Sequence, residues 1–278
     1  MKKILIIGST GMLGNTLNEY FSKLSYNIKT LNRSDLDLSK CSDRELETKI
    51  IDSECDILIN CAGLIKQRKG TTTADFIAVN SLLPHRMADI CKTQDKKLIH
   101  ITTDCVYSGV DGQYTEESKH DIFDDYGKSK SMGEPENCTV IRTSIIGEEK
   151  SNKLSLLEWV KSMEKKEING YKNHKWNGLT CLQVGKLMNK IIVDGSYWAG
   201  VRHFHSNEVN KYDLVSMINE IYNLNIKITP MDDNISVDRT LNSIHNIDKF
   251  KIPNLYKQIE ETRDFHDGIK KIHLEDVE

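Results

Sequence analysis

The chain has no CxxC pair. Its seven cysteines (Cys41, Cys55, Cys61, Cys91, Cys105, Cys138 and Cys181) are odd in number, scattered through strand-like and helix-like segments, and lack metal-ligand spacing. That argues against a disulfide scaffold and a structural zinc site; free thiols in a reducing compartment are expected, with no metal. An excess of positive charge is also missing. The 38 Lys and Arg face 41 Asp and Glu, a formal net charge of −3, so there is no electrostatic footprint for nucleic acid. Lys165-Lys166, flanked by Glu164 and Glu167, reads as solvated helix surface. Long apolar runs are absent too. Ile4 to Ile7 is too short for a secretory signal core or a membrane span, so a cytoplasmic location without a membrane partner is expected. There is no internal repeat and no low-complexity tract, and the last dozen residues are polar and expected to fray.

What is present suits a soluble globular protein: 278 residues, 38% hydrophobic and 28% charged. This length fits one large α/β domain, or a nucleotide domain with a smaller lobe. Lys3 to Ile7 is a β-branched run ending at Gly8 and predicts a buried parallel strand. Asn27 to Leu31, Ile57 to Asn60, Lys97 to Thr102 and Thr139 to Arg142 repeat the signal. Helical spacing covers Gly14 to Leu24, Cys41 to Ile51, Ala74 to Cys91 and Tyr126 to Glu134. Alternating strands and helices predict an α/β fold, a Rossmann-type doubly wound parallel sheet over residues 1–145. Residues 146–278 are expected to form mainly a smaller C-terminal substrate-binding lobe, with elements returning to the main fold. Within it, Leu154 to Met163, Leu182 to Val193 and Tyr212 to Tyr222 read as helices, and Val201 to His205 and Ile226 to Thr229 as strands.

Gly8-Ser9-Thr10-Gly11-Met12-Leu13-Gly14 follows the first strand and opens a helix. Glycines at GxxGxxG spacing let the backbone turn tightly and approach a pyrophosphate at the helix N-terminus. At the tip of the second strand stand Asn32, Arg33 and Ser34, with no acid to hold the ribose 2′-OH of NAD. An Arg and a Ser there can receive the 2′-phosphate of NADP. Asp37 and Leu38 are placed to flank the adenine, and Asn60-Cys61-Ala62-Gly63 ends the third strand with small residues over which the cofactor can lie. Tyr126 and Lys130 are four apart, on one helix face, where an ammonium is expected to pull a phenol pKa down from about 10. Thr103, at the end of the fourth strand, can donate to a substrate carbonyl while the tyrosine protonates it.

On these residues the chain resembles the extended short-chain dehydrogenases/reductases, close to the dTDP-4-dehydrorhamnose reductase family. The resemblance runs through Asp35-Leu36-Asp37-Leu38, Asp56-Ile57-Leu58-Ile59-Asn60, Val79-Asn80, Thr103-Asp104-Cys105-Val106-Tyr107-Ser108-Gly109, Tyr114-Thr115-Glu116, Tyr126 to Lys130, Arg142-Thr143-Ser144 and Asn242-Ser243. It implies NADPH reducing the 4-keto group of a nucleotide-linked 6-deoxyhexose. Thr103, Tyr126 and Lys130 are then catalytic, Asn80 lies with the cofactor, and Tyr107 and Arg239 contact substrate. The nucleotide stays open between UDP, dTDP and GDP, and a homodimer is an open arrangement.

Two departures stand out. Reductases of this family usually have an aromatic residue where Cys105 stands, whereas GDP-fucose synthases, which epimerise before reducing, have a serine, one residue and a cysteine. Thr103 and Cys105 match that spacing, so Cys105 is a candidate acid/base for a proton next to the ketone. In Lys172-Asn173-His174-Lys175-Trp176, where the simple reductases carry an acid–glutamine pair and a GSPT-like turn, His174 is the expected opposite-face partner of Cys105. Imidazole titrates near neutrality; Lys172, Lys175 and Trp176 are further substrate candidates. An epimerase, or a non-catalytic NADP-binding regulatory subunit of the same fold, is the alternative reading. The regulatory reading has no need of a tyrosine acid and its lysine, and a dehydratase would need Asp-Glu where Asp104-Cys105 stands.

Overall fold

Five of the strands expected from the sequence lie side by side and a sixth joins them. A computed structural model describes residues 1–66, 70–151 and 153–268. The strands are β1 (Lys3–Ile7), β2 (Asn27–Leu31), β3 (Ile57–Asn60), β4 (Lys97–Thr103) and β5 (Thr139–Thr143). With the edge strand Gly200–His203 they run in the order Gly200–His203, β5, β4, β3, β1, β2, every neighbour pair parallel. The chain leaves β1 for β2 on one side and then crosses to β3 on the other. That reversal opens a crevice at the carboxyl ends of β1 and β3, where ligands bind in such sheets.

The period-2 alternation of a strand sends successive side chains to opposite faces. Ile4 and Ile6 pack with Leu13, Leu17, Tyr20 and Phe21 of helix α1 (Met12–Ser22) and with the helix Cys181–Asp194. Leu5 and Ile7 pack with Leu46 and Ile50 of helix α2 (Asp43–Asp52) and with Leu83 and Met87. Both faces of the sheet are therefore covered, which is why β1 and β3 read as continuous apolar runs. A capping box between Ser42 and Glu45 fixes the start of α2.

The segment 181–203 packs on and extends this sheet. The rest of the later chain builds a smaller lobe around Ile146, Leu157, Val160, Trp176, Leu214, Ile218 and Ile259. Its strands are short: Glu167–Tyr171 pairs with Lys227–Met231, and His174–Trp176 lies between Val209–Asn210 and Val237–Asp238.

The structure corrects the sequence in three places. The helix expected over 74–91 is interrupted: Thr73–Phe76 is α-helical, Ile77–Leu82 is a π turn, and Leu83–Thr93 is α-helical again. The strands Glu167–Tyr171 and His174–Trp176 alternate too briefly to be read from pattern. Leu255–His266 is a helix capped by Asn254 that buries Leu255, Ile259 and Phe265, an apolar stripe diluted by charged neighbours. The expected fraying of the last dozen residues lies, from 269 on, outside the described residues. Among the described residues, no helix is long and apolar enough to cross a membrane.

Candidate active site

Gly8 leaves β1 at φ +84°, and its N–H donates to the Leu31 carbonyl at 2.9 Å. A Cβ on it would lie 2.7 Å from the Ala62 nitrogen, and one on Gly14 would lie 2.3 Å from the Gly8 oxygen. Both contacts are with backbone, so the strand–turn–helix passage closes only with glycine. Gly11 caps α1 without a side-chain bond, and no acid stands in the first turn, so the positive helix end is left for an external anion. Thr10 and Gly11 are exposed there and Met12 is half-buried. Leu13 was expected among the cofactor contacts, but its side chain is part of the core, so only its backbone can serve.

At the tip of β2, the Asn32 side-chain oxygen accepts from the Ser34 N–H at 2.8 Å and hydroxyl at 2.6 Å, folding Asn32, Arg33 and Ser34 into one turn. Arg33 is exposed and 3.5 Å from Asp37. The Ser39 hydroxyl, foremost, holds Asp37 below the usual carboxylate range. Leu38 packs against the core on the α2 side of the sheet. At the end of β3, Cys61, Ala62 and Gly63 pass beside Lys130: a Cβ on Gly63 would meet the Lys130 Nζ at 3.3 Å. Burial pushes the Cys61 thiol up to about 12.

Asn80, expected to contact cofactor, is wholly buried and braces instead. It accepts from the Leu64 N–H at 2.8 Å and donates to the Leu64 carbonyl at 3.0 Å and the Ser129 hydroxyl at 3.1 Å, tying the loop after β3 to the helix that carries Tyr126 and Lys130.

That helix, Asp125–Ser131, begins at Asp124, whose carboxylate accepts the Gly127 N–H at 2.9 Å. Gly127 sits against the Cys105 carbonyl, where a Cβ would be only 2.5 Å away. This close approach carries Tyr126 to Thr103, the last residue of β4, whose hydroxyl lies near enough to the phenol to favour its ionised form. The Phe76 ring meets Tyr126 edge-on at 6.2 Å, and the Lys66 Nζ lies 5.7 Å from the Tyr126 ring centre.

The expected lowering of the tyrosine pKa does not hold in this geometry. Burial, foremost, raises Tyr126 above the ordinary phenol value, the neighbouring Cys105 and Asp104 add to that, and the Thr103 hydroxyl opposes it. Lys130 carries the compensating shift: buried to 8% exposure, it falls to about 8, chiefly by desolvation, with Glu134 opposing.

Cys105 is half-buried in the turn after β4. Burial and then Asp104 push its thiol up to about 12, so it is a proton-bearing thiol at neutral pH. His174 is not its partner. Its Nε2 lies 3.0 Å from the Ile235 carbonyl and 3.2 Å from Asp233, and its ring stacks on Tyr171 at 5.0 Å. Lys172 is exposed, and Lys175 is paired with Glu208 at 2.9 Å and Asp238 at 3.6 Å. Tyr107, expected at the substrate, is fully buried: it stacks on Tyr114 at 4.2 Å and donates to the Thr115 carbonyl at 2.9 Å. Trp176 is buried in the lobe core, with the Lys211 Nζ 5.9 Å from its ring.

Lys211 is the residue the sequence reading missed. It opens the helix Lys211–Ile221, feels the charges of Asp104, Cys105 and Arg239, and is lowered chiefly by burial. Its only sequence signal is Asn210, an N-cap that places the next side chain at a helix mouth. Arg239 does reach the site: it donates to the Tyr107 carbonyl at 3.0 Å and the Ser108 carbonyl at 3.1 Å, and its charge acts on Asp104.

A family model described as the RmlD substrate binding domain matches residues 1–252. The chain is 29% identical over 136 residues to a dTDP-4-dehydrorhamnose reductase of Mycolicibacterium smegmatis, covering 48% of this chain and 40% of that protein. It is 27% identical over 152 residues to a dTDP-4-keto-6-deoxy-D-glucose reductase of Streptomyces niveus, covering 50% and 51%. The matched stretches thus span about half the length of these curated relatives or less. The crystal structure of dTDP-4-dehydrorhamnose reductase from Bacillus anthracis in complex with NADP superposes with a TM-score of 0.79 at 19% identity, covering 95% of this chain and 99% of that one; this likeness is one of fold.

A buried lysine lowered from 10.5 to about 8 takes up fewer protons folded than unfolded between those values, so it destabilises the fold most below pH 8. Lys130→Met should therefore raise the melting temperature at pH 7, by an effect of order 3 kcal/mol at most. The gain over wild type should shrink as pH rises from 8 towards 10.5. Paired thermal melts across that range test it; a Met variant less stable than wild type at pH 7 contradicts the assignment.

Proposed function

The chain belongs to the RmlD substrate binding domain family, and we propose that it uses NADPH to reduce the 4-keto group of a nucleotide-linked 6-deoxyhexose. The observation that carries this reading is the convergence of Thr103, Tyr126 and Lys130 beside the crevice between β1 and β3, opposite the glycine turn. A carbonyl oxygen between Thr103 and Tyr126 would meet a hydroxyl and a half-buried, proton-bearing phenol, which is what an oxygen gaining negative charge requires. The glycine turn, the open end of α1 and the small residues after β3 are a cradle that fits a dinucleotide. When bound, NADPH supplies the hydride. Lys130, next to Gly63, is placed to hold the cofactor's ribose and to keep positive charge beside the phenol as its proton leaves. Tyr126→Phe should bind NADPH normally by fluorescence yet lose roughly 10²–10⁴-fold in turnover on a panel of UDP- and dTDP-linked 4-keto-6-deoxy sugars. Near-normal turnover of the folded variant excludes this acid.

NADPH over NADH follows from Arg33, exposed beside Ser34 and 3.5 Å from Asp37. A charge-assisted contact to a 2′-phosphate contributes about 1.5–3 kcal/mol. Arg33→Ala should erase the preference in kcat/KM; equal use of both cofactors by the wild type counts against it.

A second activity, 3- or 5-epimerisation before reduction, is favoured by Cys105 and Lys211. The ketone acidifies the protons on the neighbouring carbons, and the same Thr103 and Tyr126 donors would hold the enolate. With its proton retained by burial, Cys105 suits the donor role. Lys211, with its ammonium disfavoured, replaces His174 as the group that removes a proton. In D₂O without NADPH, the wild type should exchange deuterium into C3 or C5, and Cys105→Ser and Lys211→Met should each exchange far more slowly. Absence of wild-type exchange, with the sugar's configuration retained, makes the protein a simple reductase.

A further inference from the structure

Asp104 is a carboxyl at 2% exposure that the reduction above leaves without a task. It follows Thr103 directly. The Thr103 hydroxyl accepts the Cys105 N–H at 3.1 Å and lies 3.1 Å from the Asp104 Oδ1. A hydroxyl has one proton to give. If Asp104 is ionised, Thr103 spends that proton on the carboxylate and has none for Tyr126 or a keto oxygen. If Asp104 is protonated, its O–H donates to the Thr103 oxygen across the same 3.1 Å. The Thr103 proton is then free to point to the Tyr126 oxygen, the phenol whose pKa this hydroxyl lowers.

We propose that Asp104, Thr103 and Tyr126 form a proton relay in which Asp104 holds the reserve proton that restores Tyr126 after each turnover. The idea rests on the reduction proposed above. As the ketone gains hydride at C4, the carbonyl π electrons settle on its oxygen, which takes the Tyr126 proton. The phenolate takes the Thr103 proton, Thr103 takes that of Asp104, and solvent returns one proton to Asp104 through the half-buried Ser144 hydroxyl, its fourth-side partner. One hydride and one proton are consumed per ketone, and the three side chains end as they began.

The groups around Asp104 suit a carboxyl that exchanges its proton. Thr103 and Cys105 face it from its own turn, Ser144 from the exit of β5, Arg239 and Lys211 from the lobe, and Tyr126 from the catalytic helix. Burial raises the carboxyl above its ordinary range, while Arg239 and the hydrogen bonds from Thr103, Ser144 and Cys105 pull it back. Ionised and neutral forms are thereby brought closer in energy than either effect alone would leave them.

Infrared difference spectroscopy of the ligand-free protein tests this without any sugar. Wild type should show the C=O stretch of a neutral carboxylic acid near neutral pH. The band should vanish in Asp104→Asn and shift in Thr103→Val, where its acceptor is lost. In the reductase assay, Asp104→Asn should lower kcat about 10–100-fold with KM within about twofold and flatten the pH profile, because an amide can hold Thr103 but cannot pass a proton. A wild-type spectrum identical to that of Asp104→Asn across pH 5 to 8 overturns the relay, as does an unchanged kcat and pH profile in that variant. If Asp104→Asn does not fold, an unshifted band in Thr103→Val overturns it. Wild type inactive on every keto-sugar tested refutes the functional reading, while the infrared comparison still decides where the proton resides.

Discussion

A guanidinium sealed inside the protein cannot be left without partners, and the arrangement around Arg142 follows from that constraint. Arg142 lies on β5 with its side chain 3% exposed. It grips the Glu134 carboxylate with two nitrogens, and it donates to the Tyr107 hydroxyl at 2.7 Å, to His203 Nε2 at 2.7 Å and to His120 Nε2 at 2.8 Å. Those partners come from the chain just past the catalytic helix, the exit of β4, the edge strand and the loop before the helix. One charge thus joins four separate segments of the chain. Loss of either ion-pair member would strand a buried charge, which typically costs 3–5 kcal/mol.

The protonation states in this cluster are mutually consistent. Burial and the nearby arginine lower His203 to about 4, so its ring is neutral: Nε2 accepts from Arg142 and Nδ1 donates to the Asn242 carbonyl at 2.8 Å. His120 is lowered in the same way, and its Nδ1 reaches the Ser131 hydroxyl at 2.6 Å, at the end of the catalytic helix. Glu116 accepts the His203 N–H at 2.7 Å and the Ser243 hydroxyl at 2.7 Å, which brings the 242–244 loop of the lobe to the sheet. The helix carrying Tyr126 is therefore fixed at its far end by charge and at its near end by the backbone contact of Gly127 with Cys105. A proton donor held at both ends loses little of its effect to misplacement.

Electrostatics inside the site run against a simple picture of an activated tyrosine. Desolvation acts on both members of the Tyr126 and Lys130 pair, raising the phenol and lowering the ammonium. Such a tyrosine is better described as an acid that keeps its proton until an oxygen beside it becomes strongly basic. The same logic applies to Cys105, whose burial keeps the thiol protonated. Lys211 and Arg239 balance that corner from the lobe, so the chemistry of the turn after β4 depends on the second half of the chain.

Local signals determined a good deal. The β-branched run ending at Gly8 is a strand because apolar residues on both its faces can only be satisfied by a covered parallel sheet, and β1 to β5 appear where the strand signals lie. The glycine turn, Thr103, and Tyr126 with Lys130 were legible because each is a short-range pattern whose geometry follows from one strand end or one helix turn. Tertiary structure decided everything that depends on long-range approach. Tyr107 and Trp176 look like binding aromatics in sequence, but packing buried them. His174 was chosen for its intrinsic pKa, yet the pairing of its short strand with Val237–Asp238 turned it to Asp233 and Ile235. Lys211 had no motif to mark it and entered the site only because the helix it opens is docked by Leu214, Val215 and Ile218 onto the lobe core. Spacing along the chain reports which side chains share a face; which faces meet, and which charges lose their water there, is fixed only when the core closes.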